Sequence, residues 1–168
     1  MTVMGNQLIL NLIRLGNLSS LISENLQVHP ASFELTLRKV LEFKDKGSID
    51  FTNEKRKIPT CKELEFNENG YIDLKPGAYK VVFNEIVKIP FDCVAIGLPR
   101  SSLLRSGATV ICGLWDPGYF GRSEALLLVF NPHGIRLYRN ARIVQLVLIK
   151  VQGSTKSYKG IYQGENIS

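Results

Sequence analysis

The stretch LLLVFNPHGIRLYRNARIVQLVLIKV, residues 126–151, contains three apolar runs separated by short polar breaks. The runs at 126–130, 135–138 and 143–151 have the length and the aliphatic and aromatic content of strands. The first break, Asn131-Pro132-His133-Gly134, consists of residues that favour turns. We therefore predict three successive strands in this part of the chain.

The same organisation extends towards the N-terminus. Phe33, Leu35 and Leu37 alternate with polar residues, which predicts a half-buried strand. Further strands are predicted at 79–83, 87–89 and 92–96, with turns at Asn69-Gly70 and Lys75-Pro76-Gly77 and with hairpins and loops over the polar stretch 44–70. Many short strands with frequent turns indicate an all-β barrel or a jelly-roll-like sandwich.

The two ends of the chain differ from this pattern. Leu8, Ile9, Leu12 and Leu15 recur at helical spacing, so residues 1–25 are predicted to carry a short amphipathic helix packed on the body. Polar residues interrupt this segment and no basic leader precedes it, which argues against a signal peptide. The polar tail, 152–168, is expected to extend beyond the folded body. A chain of 168 residues is expected to form a single domain, 1–168.

Composition limits the possible functions. Basic residues outnumber acidic ones by 21 to 15, and the resulting charge of +6 attracts anionic ligands, although excess lysine also serves solubility alone. No run of eighteen apolar residues is present, so no membrane span is predicted. The three cysteines lack metal-ligand spacing and only two histidines accompany them. This pattern indicates reduced thiols in a cytoplasmic protein and argues against a zinc-dependent deaminase.

Two polar clusters contain side chains that are suited to binding or catalysis. In PRSSLLRSG, 99–107, serine hydroxyls, backbone N–H groups and two arginines can bind phosphate oxygens, but a serine before a short helix also serves as an N-cap. In WDPGY, 115–119, Asp116 is either a catalytic carboxylate or the first residue of an ordinary turn, and Tyr119 is either a ligand contact or a core aromatic. Gln145 lies within an apolar strand and needs polar partners if it is buried.

The order of these clusters resembles that of the family containing dUTP pyrophosphatases (dUTPases) and dCTP deaminases. PRSSLLRSG, GLWDPGYFG (113–121) and RIVQLV (142–147) match successive family motifs. HPASFELTL (29–37) resembles the early motif, with Glu34 in place of an aspartate, and YKGIYQGE (158–165) resembles the deaminase-type tail. The resemblance implies a mainly β, distorted jelly-roll or barrel subunit that forms a homotrimer with active sites at the subunit interfaces.

The resemblance also implies the ligand and the residues that bind it. The substrate is dUTP, with Mg²⁺ as cofactor held mainly by the phosphates rather than by protein ligands, and neither nucleic acid nor a membrane is implied as a partner. Asp116 matches the carboxylate that activates the attacking water. The residues implied to bind phosphate are Arg100, Ser101, Ser102, Arg105, Gln145, Tyr162 and Gln163, and those implied to bind the nucleoside are Leu114, Trp115 and Tyr119.

The two chemistries of the family require different side chains. In the deaminases, a glutamate ten residues beyond the motif aspartate shuttles protons at the cytosine ring, and here that position is Leu126. Glu124 lies two strand residues earlier, a displacement of roughly 6–7 Å, which is too far for proton transfer unless a bulge shifts the register. We therefore predict hydrolysis of dUTP to dUMP and pyrophosphate on a deaminase-like scaffold. Deamination of dCTP, alone or coupled to hydrolysis, and a non-catalytic nucleotide-binding trimeric scaffold are the alternatives.

Overall fold

Antiparallel pairing organises the part of the chain that the structure describes. The computed structural model describes residues 2–153 and 156–167. Its elements, in chain order, are β1 (Thr2–Val3), α1 (Asn6–Arg14), β2 (Leu18–Ser19), α2 (Glu24–Gln27), β3 (Val28–His29), β4 (Ser32–Phe43), β5 (Cys61–Leu64), β6 (Tyr71–Leu74), β7 (Gly77–Phe83), β8 (Ile86–Lys88), β9 (Cys93–Pro99), α3 (Ser101–Arg105), β10 (Ala108–Ile111), β11 (Phe120–Gly121), β12 (Glu124–Val129), β13 (Ile135–Tyr138) and β14 (Arg142–Lys150).

Nine strands form the largest sheet, in the order β1-β14-β4-β7-β12-β10, with β3 and β5 paired to β4 and with β9 paired to β14. Two small sheets, β11-β8-β2 and β13-β6, complete the fold. The turn predicted at Asn69-Gly70 is present, because Gly70 has a φ of 74° and its N–H donates to the carbonyl of Asn67. The prediction of a mainly β, jelly-roll-like subunit with a short N-terminal helix is confirmed.

Strand β4 lies at the centre of this arrangement and is more deeply buried than its sequence indicates. It pairs with β14 through its first half and with β7 through its second half. Phe33, Leu35 and Leu37 are buried as expected, but Glu34 and Thr36 on the opposite face are each 1% exposed. The prediction of a half-buried strand was therefore wrong, because alternation of polarity does not show that the polar face also packs against protein.

Strand β12 separates the core from a cavity. Ala125, Leu127 and Val129 are buried in the core, while Glu124, Leu126 and Leu128 alternate with them and are partly exposed. Its register with β7 is regular from Glu124 to Val129. This alternation explains how the apolar run accommodates one acid, since Glu124 faces away from the core.

Helix α1 packs on the body, but through a narrower face than the leucine spacing indicates. Ile9 and Leu12 are buried, whereas Leu8 and Leu15 are 48% and 77% exposed. The assignment of Leu8 and Leu15 to the packed face was therefore wrong. Within the described residues, no helix is long and apolar enough to cross a membrane. The three cysteines are free thiols, as predicted.

The described part of the tail, 152–153 and 156–167, does not extend away from the body. The N–H of Tyr158 donates to the carbonyl of Pro117, and the N–H of Gly164 donates to the carbonyl of Phe120. Arg122 in turn donates its N–H to the carbonyl of Glu165. These backbone hydrogen bonds fix the tail against the segment 117–122. The expectation of a tail reaching beyond the body was wrong, because polar composition does not reveal such backbone pairing.

Candidate active site

A cavity of about 360 Å³ lies between the outward face of β12, the segment before β11 and the tail. This volume is within the range of small-molecule sites. Leu114, Trp115 and Tyr119, which the sequence assigned to the nucleoside, line it, as does Tyr162. The remaining lining residues are Phe43, Ile58, Lys80, Gly113, Ser123, Glu124, Ala125, Leu126, Tyr158 and Glu165. The lining is mainly apolar and aromatic, which suits a planar ring.

A chain of hydrogen bonds orders one side of the cavity. Trp115 Nε1 donates to Ser123 Oγ over 2.6 Å, and Ser123 Oγ lies 3.0 Å from the hydroxyl of Tyr119. Tyr119 donates to Glu165 Oε1 of the tail over 2.7 Å. Burial raises the pKa of Tyr119 far above its usual value, so its hydroxyl stays protonated and donates. Each of these four side chains therefore has at least one hydrogen-bond partner among the other three.

The wall of the cavity carries an ion pair. Lys80 Nζ of β7 lies 2.9 Å from Glu124 Oε2, with the two side chains 21% and 27% exposed. Asn166 Nδ2 donates to the other oxygen of the same carboxylate over 3.2 Å. Leu126 pairs directly with Lys80 across the sheet, and β12 has no bulge beside Glu124. The bulge that would bring Glu124 to the position of Leu126 is thus absent from this described strand.

Asp116 lies at the start of the turn before β11. The turn is closed by backbone groups, since Tyr119 N–H donates to the carbonyl of Asp116 and Gly118 N–H donates to that of Ile89. Gly118 has a φ of 78°, and a Cβ there would lie 2.9 Å from a ring carbon of Phe91, so the position requires glycine. No side-chain hydrogen bond or ion pair engages the Asp116 carboxylate within 2–153 and 156–167. The turn therefore does not depend on that carboxylate.

The residues assigned to phosphate do not lie together in this cavity. Ser101, Ser102 and Arg105 are exposed on α3, and none of them lines the cavity. The guanidinium of Arg100 is directed instead to buried Glu34, with Nε 2.5 Å from Oε1. Gln145 lies on the partly exposed face of β14, opposite Leu98 of β9. Within the described chain, these five predicted phosphate residues thus lie outside the cavity that the predicted nucleoside residues line.

The two tail residues assigned to phosphate have other contacts here. Gln163 accepts from Phe120 N–H and donates to the carbonyl of Gly118, while Tyr162 lines the cavity. Sequence reasoning missed Lys80, Ser123 and Glu165 as lining residues. Lysine within the apolar strand YKVVF was an available signal.

Comparisons with known proteins found similar sequences and a similar fold. A family model described as dCTP deaminase-like matches residues 3–151. A probable deoxyuridine 5'-triphosphate nucleotidohydrolase of Methanosarcina mazei is 46% identical over 150 residues, which are 89% of this chain and 88% of the relative. The deoxyuridine 5'-triphosphate nucleotidohydrolase of Methanocaldococcus jannaschii is 41% identical over 142 residues, which are 84% of this chain and 90% of the relative.

Among solved structures, the 2'-deoxycytidine 5'-triphosphate deaminase of Agrobacterium tumefaciens superposes with a TM-score of 0.67 at 22% identity. The match covers 87% of this chain, which spans about half of that protein, 47%. At this identity the likeness concerns the fold alone.

Proposed function

The chain belongs to the dCTP deaminase-like family, and within that family we propose that it hydrolyses dUTP to dUMP and pyrophosphate. Curated relatives named deoxyuridine 5'-triphosphate nucleotidohydrolase, 41% and 46% identical over most of the chain, support this assignment. The structural observation that carries it is the outward face of β12. Leu126 there has no proton to transfer, and the neighbouring acid, Glu124, is occupied by Lys80 and Asn166. The wall therefore suits binding of a pyrimidine rather than chemistry on its ring.

Asp116 is the proposed general base. Hydrolysis requires a water that is oriented and relieved of a proton as it attacks phosphorus, and a fixed carboxylate performs both tasks. The Asp116 backbone is held by the closed turn, the residue is half-buried, and its carboxylate has no side-chain partner in the described chain. It is adjacent in sequence to Trp115, which lines the cavity. The base is thus positioned by backbone contacts that leave its oxygens available for water.

Magnesium enters this proposal as part of the nucleotide substrate. Among the described residues, no group of three histidine, cysteine, aspartate or glutamate side chains could hold a metal ion. Mg²⁺ commonly binds through substrate phosphates with few protein ligands, and the same arrangement is proposed for this chain. Bound to the triphosphate, the ion would neutralise charge that accumulates on the phosphate oxygens.

The complete site is proposed to lie between subunits of a homotrimer. Ser101 and Ser102, assigned to phosphate, are exposed and lie outside the cavity, so a second subunit is needed to bring them to the nucleotide. The outer face of β9 and β14 offers a surface for such contact, since Ile96 and Leu98 are 41% and 51% exposed. Sedimentation at micromolar concentration should give a trimer, and a monomer with full activity would contradict the shared site.

The free thiols favour a cytoplasmic location.

The substitution Asp116→Asn tests the assignment of the base. Asparagine keeps the size of the side chain and the backbone turn, so the variant should bind dUTP and unfold at a near-normal temperature. Loss of a general base should lower kcat by about 10²–10⁴-fold. Release of pyrophosphate and ammonia from dUTP and from dCTP, each with Mg²⁺, should be measured for both proteins.

Each outcome of that assay selects one function. Pyrophosphate from dUTP without ammonia from dCTP supports hydrolysis of dUTP, whereas ammonia from dCTP would indicate deamination. No product from either nucleotide would favour a binding scaffold. An Asp116→Asn variant with normal turnover but early unfolding would make Asp116 a turn residue only.

A further inference from the structure

The cavity contains a cation that the proposed mechanism does not use. Among the described residues that line it, Lys80 is the only basic side chain. Its ammonium group has three N–H donors and no acceptor. Glu124 Oε2, 2.9 Å away, engages one of these donors. Two donors are therefore left for a ligand.

Four other polar groups of the lining already have partners within the chain. Trp115, Ser123, Tyr119 and Glu165 form the closed hydrogen-bond chain described above. A flat ring that enters this cavity meets mainly aromatic and aliphatic side chains, together with a donor-only cation on the wall between β7 and β12. The polar edge of the ring is best placed against that cation.

We propose that Lys80 determines base specificity by donating to a carbonyl oxygen at C4 of the pyrimidine. The inference rests on the proposed function, since it takes the cavity as the site of the base. Uracil has an oxygen acceptor at C4, as thymine does, whereas cytosine has an amino donor there. An ammonium group can satisfy the oxygen but opposes the amino group with like polarity. Lys80 thus selects uracil and rejects cytosine.

Glu124 is a positioning residue in this arrangement. Its carboxylate is held from one side by Asn166 and contacts Lys80 from the other, so it anchors the ammonium group in one place on the wall. Leu126, directly opposite Lys80 in the sheet, gives the ring an apolar surface. A donor that the bound ring covers without giving it an acceptor is costly, and this cost is the source of discrimination.

The test compares binding of two non-hydrolysable nucleotides, α,β-imido-dUTP and α,β-imido-dCTP, by calorimetry with Mg²⁺. In Lys80→Met, the preference for the uracil nucleotide should fall by about 10- to 100-fold, the range expected for a lost hydrogen bond to a charged group. In Lys80→Gln, the amide can donate to uracil or accept from cytosine, so binding of the cytosine nucleotide should improve. Thermal unfolding of both variants establishes that they fold.

Lys39→Met is the matched control. Lys39 Nζ lies 2.7 Å from Glu63 Oε2, so the substitution breaks a similar ion pair, but neither residue lines the cavity. The control should keep the wild-type preference. An unchanged preference in both Lys80 variants would overturn the inference, and so would an equal loss for the two nucleotides, which would make Lys80 a phosphate contact.

The failure of this inference is distinguishable from that of the proposed function. If the wild type hydrolyses dUTP while Lys80→Met keeps its discrimination, only the role of Lys80 is wrong. If the wild type neither hydrolyses dUTP nor binds either analogue, both proposals are wrong.

Discussion

Glu34 and Glu124 are both held by basic side chains, but water reaches them to very different extents. The Glu34 side chain is 1% exposed and contacts Arg100 at 2.5 Å and Arg142 at 3.1 Å. The Glu124 side chain is 27% exposed and contacts Lys80 at 2.9 Å. The ion-pair distances of Glu34 and Glu124 are similar. The two carboxylates differ instead in their burial and in the segments that they join.

Because of this difference, the charge of Glu34 serves the fold, whereas the ion pair of Glu124 is accessible to a ligand. The arginine partners of Glu34 lie just before α3 and in β14, and His29 Nε2 of β3 lies 3.3 Å from Glu34 Oε2, so the carboxylate connects β4 to three other segments. A buried carboxylate that loses such partners cannot recover them from solvent. Glu124 joins neighbouring strands at the edge of a cavity, where a ligand can contact the same lysine.

The largest expected effect is a loss of stability when the buried carboxylate of Glu34 is replaced. Glu34→Gln keeps the side-chain size but removes the charge that the two arginines face. Breaking a buried ion pair on one side typically costs about 3–5 kcal/mol, and since the arginines are partly exposed we expect the lower value, about 3 kcal/mol. Denaturant unfolding monitored by circular dichroism measures this change in the free energy of unfolding.

Glu124→Gln is the matched substitution in the cavity wall. A partly exposed pair contributes about 1 kcal/mol or less, so this variant should unfold close to wild type. Equal destabilisation of the two variants would remove the distinction drawn between the two regions.

Sequence reasoning recovered those features that depend on local pattern. The strands within 126–151 follow from apolar runs and turn residues, and β12, β13 and β14 lie there. Motif order also grouped Leu114, Trp115 and Tyr119, and all three line one cavity, while their contact with a nucleoside stays a prediction. These features need only neighbours in the chain or a known order of motifs.

Features that depend on distant partners could not be predicted. Glu34 was expected on a solvent face because nothing near it in sequence indicates Arg100 or Arg142 as partners. Lys80 enters the cavity because of its register opposite Leu126, which strand pairing alone fixes. The tail was expected to extend from the body because its attachment is made largely by backbone groups, which leave no mark in the composition.

The smallest expected effect is a pH dependence of tail docking that arises from Glu165 in the cavity. Burial raises the pKa of its carboxyl above the usual 4.5, the nearby Glu124 raises it further, and the hydrogen bond from Tyr119 and the charge of Lys80 oppose the shift. The pKa of Glu165 is higher when the tail is docked against the body than when the tail is free. Docking of the tail should therefore be complete below the pKa of the free carboxyl. Seating should then weaken as pH rises through the pKa of the seated state. Since Glu165 remains half-buried, we expect a change in the docking equilibrium of less than about tenfold.

Trp115, the single tryptophan of the chain, lines the same cavity and reports the seating of the tail. Its emission between pH 4 and pH 7 should follow one titration in the wild type. Glu165→Gln removes the titrating group and should flatten that profile, whereas the control Glu68→Gln, at an exposed loop position, should leave it unchanged. A wild-type profile retained in Glu165→Gln would assign the titration to another group. The contrast between the two regions would then concern exposure alone.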